Sequence, residues 1–448
     1  MGTKLDGWMG AAYDLGVHGL LPFHLAMETG CRSPAMPIQI QPAPVMNIQR
    51  TASFVTAIAV ISAQAAPVGK SPFQDDVDFL KKHVDVIVLR DGETQVAVVP
   101  AYQGRVMTST VGGEKAPSFG WINRELIASG KRQPHINAFG GEDRFWLGPE
   151  GGQFSIFFAK GASFDLEHWF TPAPLDIEPF DVTAKSERDA EFHRAFTLTN
   201  MSGTKFAVDV VRKVSLMTPA RVAGLLDTPI PAGVKLVAIE TANTLKNAGS
   251  APWTKDSGLL SVWILGMFNA SPACTVVIPF HPGSEEKLGP VVNDTYFGKV
   301  PPDRLVVRKD VLFFKADAKS RSKIGIPPRR AKDLLGSYDA LSGVLTICQY
   351  TLPKDAKDYV NSMWEFQKDP FSGDVVNSYN DGIPTGGTKQ LGNFYELETS
   401  SPGLALVPGG QTTHIHRTIH LQGSEQDLEG IARKTLGVGL ADIRAAMK

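Results

Sequence analysis

Residues 84–100 read VDVIVLRDGETQVAVVP. Two β-branched runs flank Asp91-Gly92, a dipeptide that favours the tight turn of a two-residue hairpin, so the segment reads strand, turn, strand. The same texture continues outward: GRVMTSTV (104–111), FSIFFA (154–159), AFTLTN (195–200), FAVDVVRKVSLM (206–217), VKLVAIETANTL (234–245) and LLSVWILGMF (259–268). CTVVIPF (274–280), RLVVRKDVLFFKA (304–316), GVLTICQYTL (343–352), FYELET (394–399), GLALV (403–407) and TTHIHRTIHL (412–421) complete it. Short, closely spaced segments rich in aromatic and β-branched residues predict an all-β sandwich or barrel. Helical periodicity is confined to DDVDFLKKH (75–83) and to the closing SEQDLEGIARKTLGVGLADIRAAMK (424–448). In the latter, Ser424 and Asp427 open a capped helix and Gly437 and Gly439 divide it in two. The expectation is one β domain over 70–423 with a helical tail over 424–448.

The 448 residues are 43% hydrophobic and 20% charged with a formal net charge of −1, enough apolar mass for a large core. A nucleic-acid partner would leave a basic footprint that is missing. No apolar run is long enough to predict a transmembrane helix. From Met46 the chain reads MNIQRTASFVTAIAVISAQAAP: a basic residue at Arg50, an apolar run, then a small-x-small AQA box. That is the layout of a secretory signal peptide over 46–66, cleaved near Ala65/Ala66 and leaving a periplasmic or secreted protein. Because such a peptide must come first in translation, residues 1–45 read as a non-native leader. No cysteine follows the cleavage box, so no lipid or membrane anchor is expected. Cys274 and Cys348 remain, and sequence leaves open whether they pair. It carries no signal of oligomeric state.

Residues 135–153, HINAFGGEDRFWLGPEGGQ, are too polar and glycine-rich for a plain strand. Trp146 offers a flat apolar face while Asp143, Arg144 and Glu150 offer hydrogen bonds, the mixture that sugars need. The alternative is a decorated turn held by an Asp143–Arg144 pair. DLEHWFTPAP (165–174) places Trp169 either on a cleft rim or in a loop plug. Near the end, His414, His416 and His420 share one face of a predicted strand. They could line a cleft, bind a divalent metal with a glutamate, or lie on plain wet surface, with Ile415 and Ile419 turned to the core.

VVPAYQGRVMTSTV (98–111), GGEDRFW (140–146), NTLKNAG (243–249) and YELETSSPGLALVPGGQTTHIHRTIHL (395–421) occur in an order that resembles the galactose-mutarotase-like (aldose 1-epimerase) superfamily. The resemblance implies a large antiparallel supersandwich with a sugar-binding cleft on its concave face. It places Glu398 as the base that takes the anomeric hydroxyl proton, with Glu396 on the same face two residues away. By the same resemblance the GWINRELI segment (120–127) supplies Asn123 and Arg124 to the substrate. The family's histidine before paired glycines is here Phe139, and its second one is matched by SVWI (261–264), which has none. A proton donor at the ring oxygen must then come from elsewhere, and His416 on the last strand is the candidate. Two functions follow. One is an exported carbohydrate-active enzyme, catalysing epimerisation or elimination with Glu398 as base and a histidine as acid. The other is a non-catalytic glycan-binding protein. No cofactor is required by either, a divalent metal at His414 and His416 being the alternative.

Overall fold

The structure, a computed structural model, describes residues 71–384 and 387–447. The expected leader and signal peptide fall outside those residues. A helix over Phe73–Lys81 opens the described chain and packs on a three-stranded sheet of β1 (Ile87–Asp91), β2 (Thr94–Val99) and β3 (Arg105–Thr110). The opening hairpin forms as read: Asp91 pairs with Thr94, and Gly92 turns the corner at a φ of 61°, where a side chain is disfavoured.

Two large antiparallel sheets follow. The ten-stranded sheet runs β11 (Leu305–Val307), β12 (Val311–Lys315), β10 (Cys274–Pro279), β14 (Leu334–Asp339), β15 (Val344–Tyr350), β18 (Gln411–Gln422), β8 (Lys235–Asn247), β7 (Lys205–Leu216), β6 (Asp189–Thr199) and β5 (Asp181–Lys185). The five-stranded sheet runs β13 (Ser322–Ile326), β16 (Val376–Asn380), β17 (Phe394–Ser400), β9 (Ser261–Asn269) and β4 (Arg144–Gly148). Their facing sides make the core. Phe192, Phe206 and Val210 of the larger sheet join Phe145, Val262 and Ile264 of the smaller, and Val276 and Phe314 join Ile324, Val376 and Leu397. Two packed β layers bury the alternate residues of each strand, which is why β7 alternates buried with exposed positions along its length. β10 is buried throughout because its outer side is covered as well. The helices Pro219–Leu226, Glu425–Leu436 and Leu440–Ala445 seal that side, with Leu428, Ile431 and Leu436 on Phe313, Leu345 and Ile419.

The C-terminal tail is two helices as expected. The Ser424 side chain accepts from the Asp427 amide, and Gly437 ends the first helix in the left-handed region. Other elements differ from expectation. The 154–159 and 403–407 segments form no strand, only single bridges at Phe158 and Leu404. Phe157 and Phe158 instead plug against Trp169 and Trp364, so their hydrophobicity serves a buried loop. The 135–153 stretch does contain a strand, β4, whose Arg144 and Trp146 face one side and whose Phe145 and Leu147 serve the core. Strands β5, β13, β14 and β16 carry weak signals: β14 holds Gly336, where a Cβ would come within 2.4 Å of the Thr346 carbonyl oxygen. Cys274 and Cys348 are both buried and form no disulfide with each other, and burial pushes the Cys348 thiol up to about 12. Among the described residues no helix is long and apolar enough to cross a membrane.

Candidate functional site

The register of the five-stranded sheet gathers one chemically dense face. Lys323 stands opposite Tyr379, Tyr379 opposite Glu396, and Glu396 opposite Met267. Two positions along, Asn377 stands opposite Glu398, Glu398 opposite Leu265, and Leu265 opposite Arg144. The next row pairs Trp263 with Trp146. Directly opposed residues project to the same side of a sheet, so these side chains share a face turned away from the ten-stranded sheet.

That face floors a cleft. A central cavity of about 790 Å³, open solvent included, is lined by Glu150, Trp263, Tyr296, Lys323, Trp364 and Asp374 among others. A second of about 460 Å³ is walled by Arg144, Trp146, Trp169, Tyr379 and Glu396, and the two share Glu150, Trp263, Phe297 and Lys323. Glu398 is fully buried behind this wall. Its Oε2 accepts from Trp263 Nε1 and from Lys323 Nζ, each at 2.9 Å, while its Oε1 has no hydrogen-bond partner. Lys323 Nζ also lies 4.9 Å from the centre of the Trp263 ring, so one ammonium is held by a carboxylate and an aromatic face together. The Arg144 guanidinium sits 4.2 Å over the Trp146 ring and 3.5 Å from Glu396.

Burial sets the charges here. It pushes the Glu150 carboxyl up to about 8, Lys323 pulling it down and Glu398 adding to the rise. Glu396 is likewise pushed up to about 8, by burial first and then by the neighbouring Glu398, against the pull of Arg144. Burial works to lower the Lys323 pKa, but Glu398, Glu150 and Glu396 outweigh it and leave the pKa raised. The cleft therefore holds a fixed cation between carboxyl groups that exchange protons near neutral pH. Asp374, on the far wall, accepts from the Tyr296 hydroxyl at 2.6 Å, and burial raises it to about 6.

Of the residues predicted from sequence, Arg144, Trp146, Glu150, Trp169 and Glu396 meet at this cleft. Trp169 is almost wholly buried between Phe157 and Trp364, so it backs the cavity rather than rimming it. Asp143 lies elsewhere. It is buried between the sheets, 2.6 Å from Arg212 and accepting from Thr241, because consecutive strand residues project to opposite sides. The Asp143–Arg144 turn pair does not form. Asn123 caps the helix Arg124–Ser129 by accepting from the Leu126 amide, and Arg124 pairs with Asp76 and covers the Phe79 ring. Neither lines the cleft.

The three histidines are also between the sheets, buried, and on the opposite side of β17 from Glu398. Thr399, the residue after Glu398, meets His414 Nε2 at 3.1 Å and His416 Nδ1 at 2.9 Å. His416 and Glu398 are thus separated by the thickness of the sheet, and the expected acid–base pair is not brought together. Burial pulls His414 down to about 3 and His416 down to about 4, holding both neutral. His420 Nε2 lies 3.2 Å from Glu142 and its ring stacks on Phe119. The even-numbered face of the last strand is the core face, and Ile419 packs under the helices on the other side. Among the described residues no three His, Cys, Asp or Glu side chains gather as a metal would require, and the partner of His414 and His416 is a threonine.

Lys323, Trp263, Tyr296, Asp374 and Asn377 escaped the sequence reading. A lysine within SKIGI and paired asparagines within VNSYN were the available signals, since a polar residue at alternate positions of an otherwise apolar strand marks a second, wetter side.

Several solved structures are similar to the chain at low identity. The Slr1438 protein of Synechocystis sp. PCC 6803 is 10% identical, with 76% of this chain and 96% of that one covered at a TM-score of 0.45. A galactose mutarotase-like protein from Lactobacillus casei ATCC 334 is 11% identical, with 75% and 100% covered at a TM-score of 0.40. One from Clostridium acetobutylicum is 10% identical, with 77% and 100% covered at a TM-score of 0.40. Among curated proteins none matches the chain in sequence. A family model spans residues 71–447, and by it the chain belongs to DUF6786, a family of unknown function.

Proposed function

We propose that this chain binds a carbohydrate in the cleft over the five-stranded sheet and moves a proton on it, in an epimerisation or an elimination. The carrying observation is the pair of carboxyls, Glu150 and Glu396, that line one cavity together with the Lys323 ammonium, each pushed up to about 8. A general acid or base works best when its pKa lies near the working pH. In an epimerisation one carboxylate takes the anomeric hydroxyl proton while a carboxylic acid protonates the ring oxygen as the ring bond opens. The aromatic walls of Trp146 and Trp263 supply stacking faces for C–H surfaces. Glu398 is reassigned from base to positioning residue, holding Lys323 and the Trp263 indole in place from behind. Export to the periplasm or medium, by the signal peptide read at 46–66, belongs to the same proposal.

The test is a panel of reducing sugars and uronate-containing sugars, followed by NMR exchange between anomers and by ultraviolet absorbance of unsaturated products. Glu150→Gln keeps the shape and removes the titrating group. Turnover should fall by orders of magnitude with little change in affinity. Unchanged turnover would remove Glu150 from the chemistry. One observation favours a second reading, a glycan-binding protein without catalysis: among the described residues no histidine lines the cleft. Sugars bound but never converted across the panel would establish it.

A further inference from the structure

The cleft does not end at Asp374. Tyr296, Met363 and Asp374 line the central cavity and also a third, broader one of about 1530 Å³, open solvent included. The central cavity also shares Glu150, Trp263, Phe297 and Lys323 with the Arg144–Trp146 chamber. The three spaces thus adjoin along shared walls, with Glu150 and Lys323 on the wall common to the first two. Measured alike, with open solvent included, the third cavity has about twice the volume of the central one, so most of the room along these shared walls lies beyond Tyr296.

The arm is built for a hydroxylated ligand. Asn293, Asp294, Asp358, Asn361 and Lys357 mix acceptors and donors along it, and Phe371 adds an aromatic surface with Lys255 Nζ 5.5 Å from its ring centre. Sugar hydroxyls both give and accept hydrogen bonds and need such a mixture. The junction is firm. Tyr296 donates to Asp374 at 2.6 Å and accepts from Asn377 at 3.1 Å, and Asp374 also accepts from Asn293 at 3.3 Å. Gly325 lies so close beneath that a Cβ there would come within 2.0 Å of Asp374 Oδ2.

We infer that the substrate is an oligosaccharide, one residue of which sits at Glu150 and Lys323 while its neighbours run past Tyr296 into the arm lined by Asn293, Asn361 and Phe371. The inference rests on the carbohydrate reading of the cleft. Calorimetry on the full chain would use defined neutral and uronate oligosaccharide series from the monosaccharide to the hexasaccharide. In the series that binds, affinity should rise at least tenfold between one residue and four. Thr295→Trp, which fills the arm from an exposed position, should remove most of that gain and leave monosaccharide affinity within twofold. Lys357→Ala should reduce the gain by a smaller factor. Affinity independent of length would overturn the inference and leave the carbohydrate reading standing. A length-dependent gain that Thr295→Trp leaves intact would place the neighbours elsewhere and overturn the inference too. No binding by any member of either series would overturn both.

Discussion

Glu398 and Thr399 are neighbours in the chain and face opposite sides of β17. On the Glu398 side, Arg144, Glu150 and Glu396 are buried and Lys323 is partly so, around a cleft that solvent reaches, and two carboxyls are pushed up to about 8. On the Thr399 side, His414 and His416 are sealed between two sheets and pulled down to about 3 and about 4. Both sides are polar and both are buried. One cause gives opposite shifts. Burial disfavours the charged form, which keeps the proton on a carboxyl and takes it off a histidine, and the neighbouring carboxyl Glu398 adds to the rise on the cleft side. Titratable residues at this depth can therefore belong either to chemistry or to packing, and the contacts of the next residue along decide which.

The largest effect that would sharpen this contrast lies on the core side. Asp143→Ala leaves the fully buried Arg212 without its carboxylate and should cost about 3–5 kcal/mol, read as a lower urea midpoint. A loss under 1 kcal/mol would mean the core side tolerates charge as the cleft side does.

The two sides should also set opposite pH limbs. His414 and His416 have folded pKa values below the ordinary histidine value, so their contribution is complete above that value and is lost as pH falls. By pH 5 each should cost about 2 kcal/mol. His416→Gln should flatten the acid limb by about that amount. Glu150 and Glu396 have folded values raised above the ordinary carboxylate range, so their contribution is present at low pH and fades as pH rises through about 8. Glu150→Gln should flatten the decline that runs from the ordinary carboxylate value up to about 8 and leave the histidine limb as it was. Urea midpoints across pH for wild type and both variants check this, and a shared change in both limbs would break the distinction.

The smallest effect separates a structural residue from a substrate contact. Asn123→Ala removes a helix cap and should cost about 1 kcal/mol while ligand affinity stays fixed. A fall in affinity with unchanged stability would return Asn123 to the site.

The fold was legible because hairpin turns and alternating strands are local signals. The 84–100 hairpin and the Ser424 helix start could be read to the residue, as could the shared face of His414, His416 and His420. Which side that face turns to could not be read. Parity fixes what points together, whereas only the partner sheet decides whether a side is core or cleft. The same limit explains Asp143 and Arg144, adjacent residues sent to opposite layers. Lys323 and Asn377 stayed hidden because β13 and β16 are short and polar, and they are polar because the cleft needs them so.

β18 lies between β15 and β8, and without it the ten-stranded sheet is two separate sheets, β11 to β15 and β5 to β8. This keystone reaches far back along the chain: His414 pairs with Asn243, whose side-chain amide donates to the His414 carbonyl across 171 positions of sequence. Until β18 is in place, the two halves keep β15 and β8 as open edges. Such edges invite pairing with other chains, so a chain cut before β18 would carry two adhesive flanks, and one strand thus guards the molecule against sticking to its own copies.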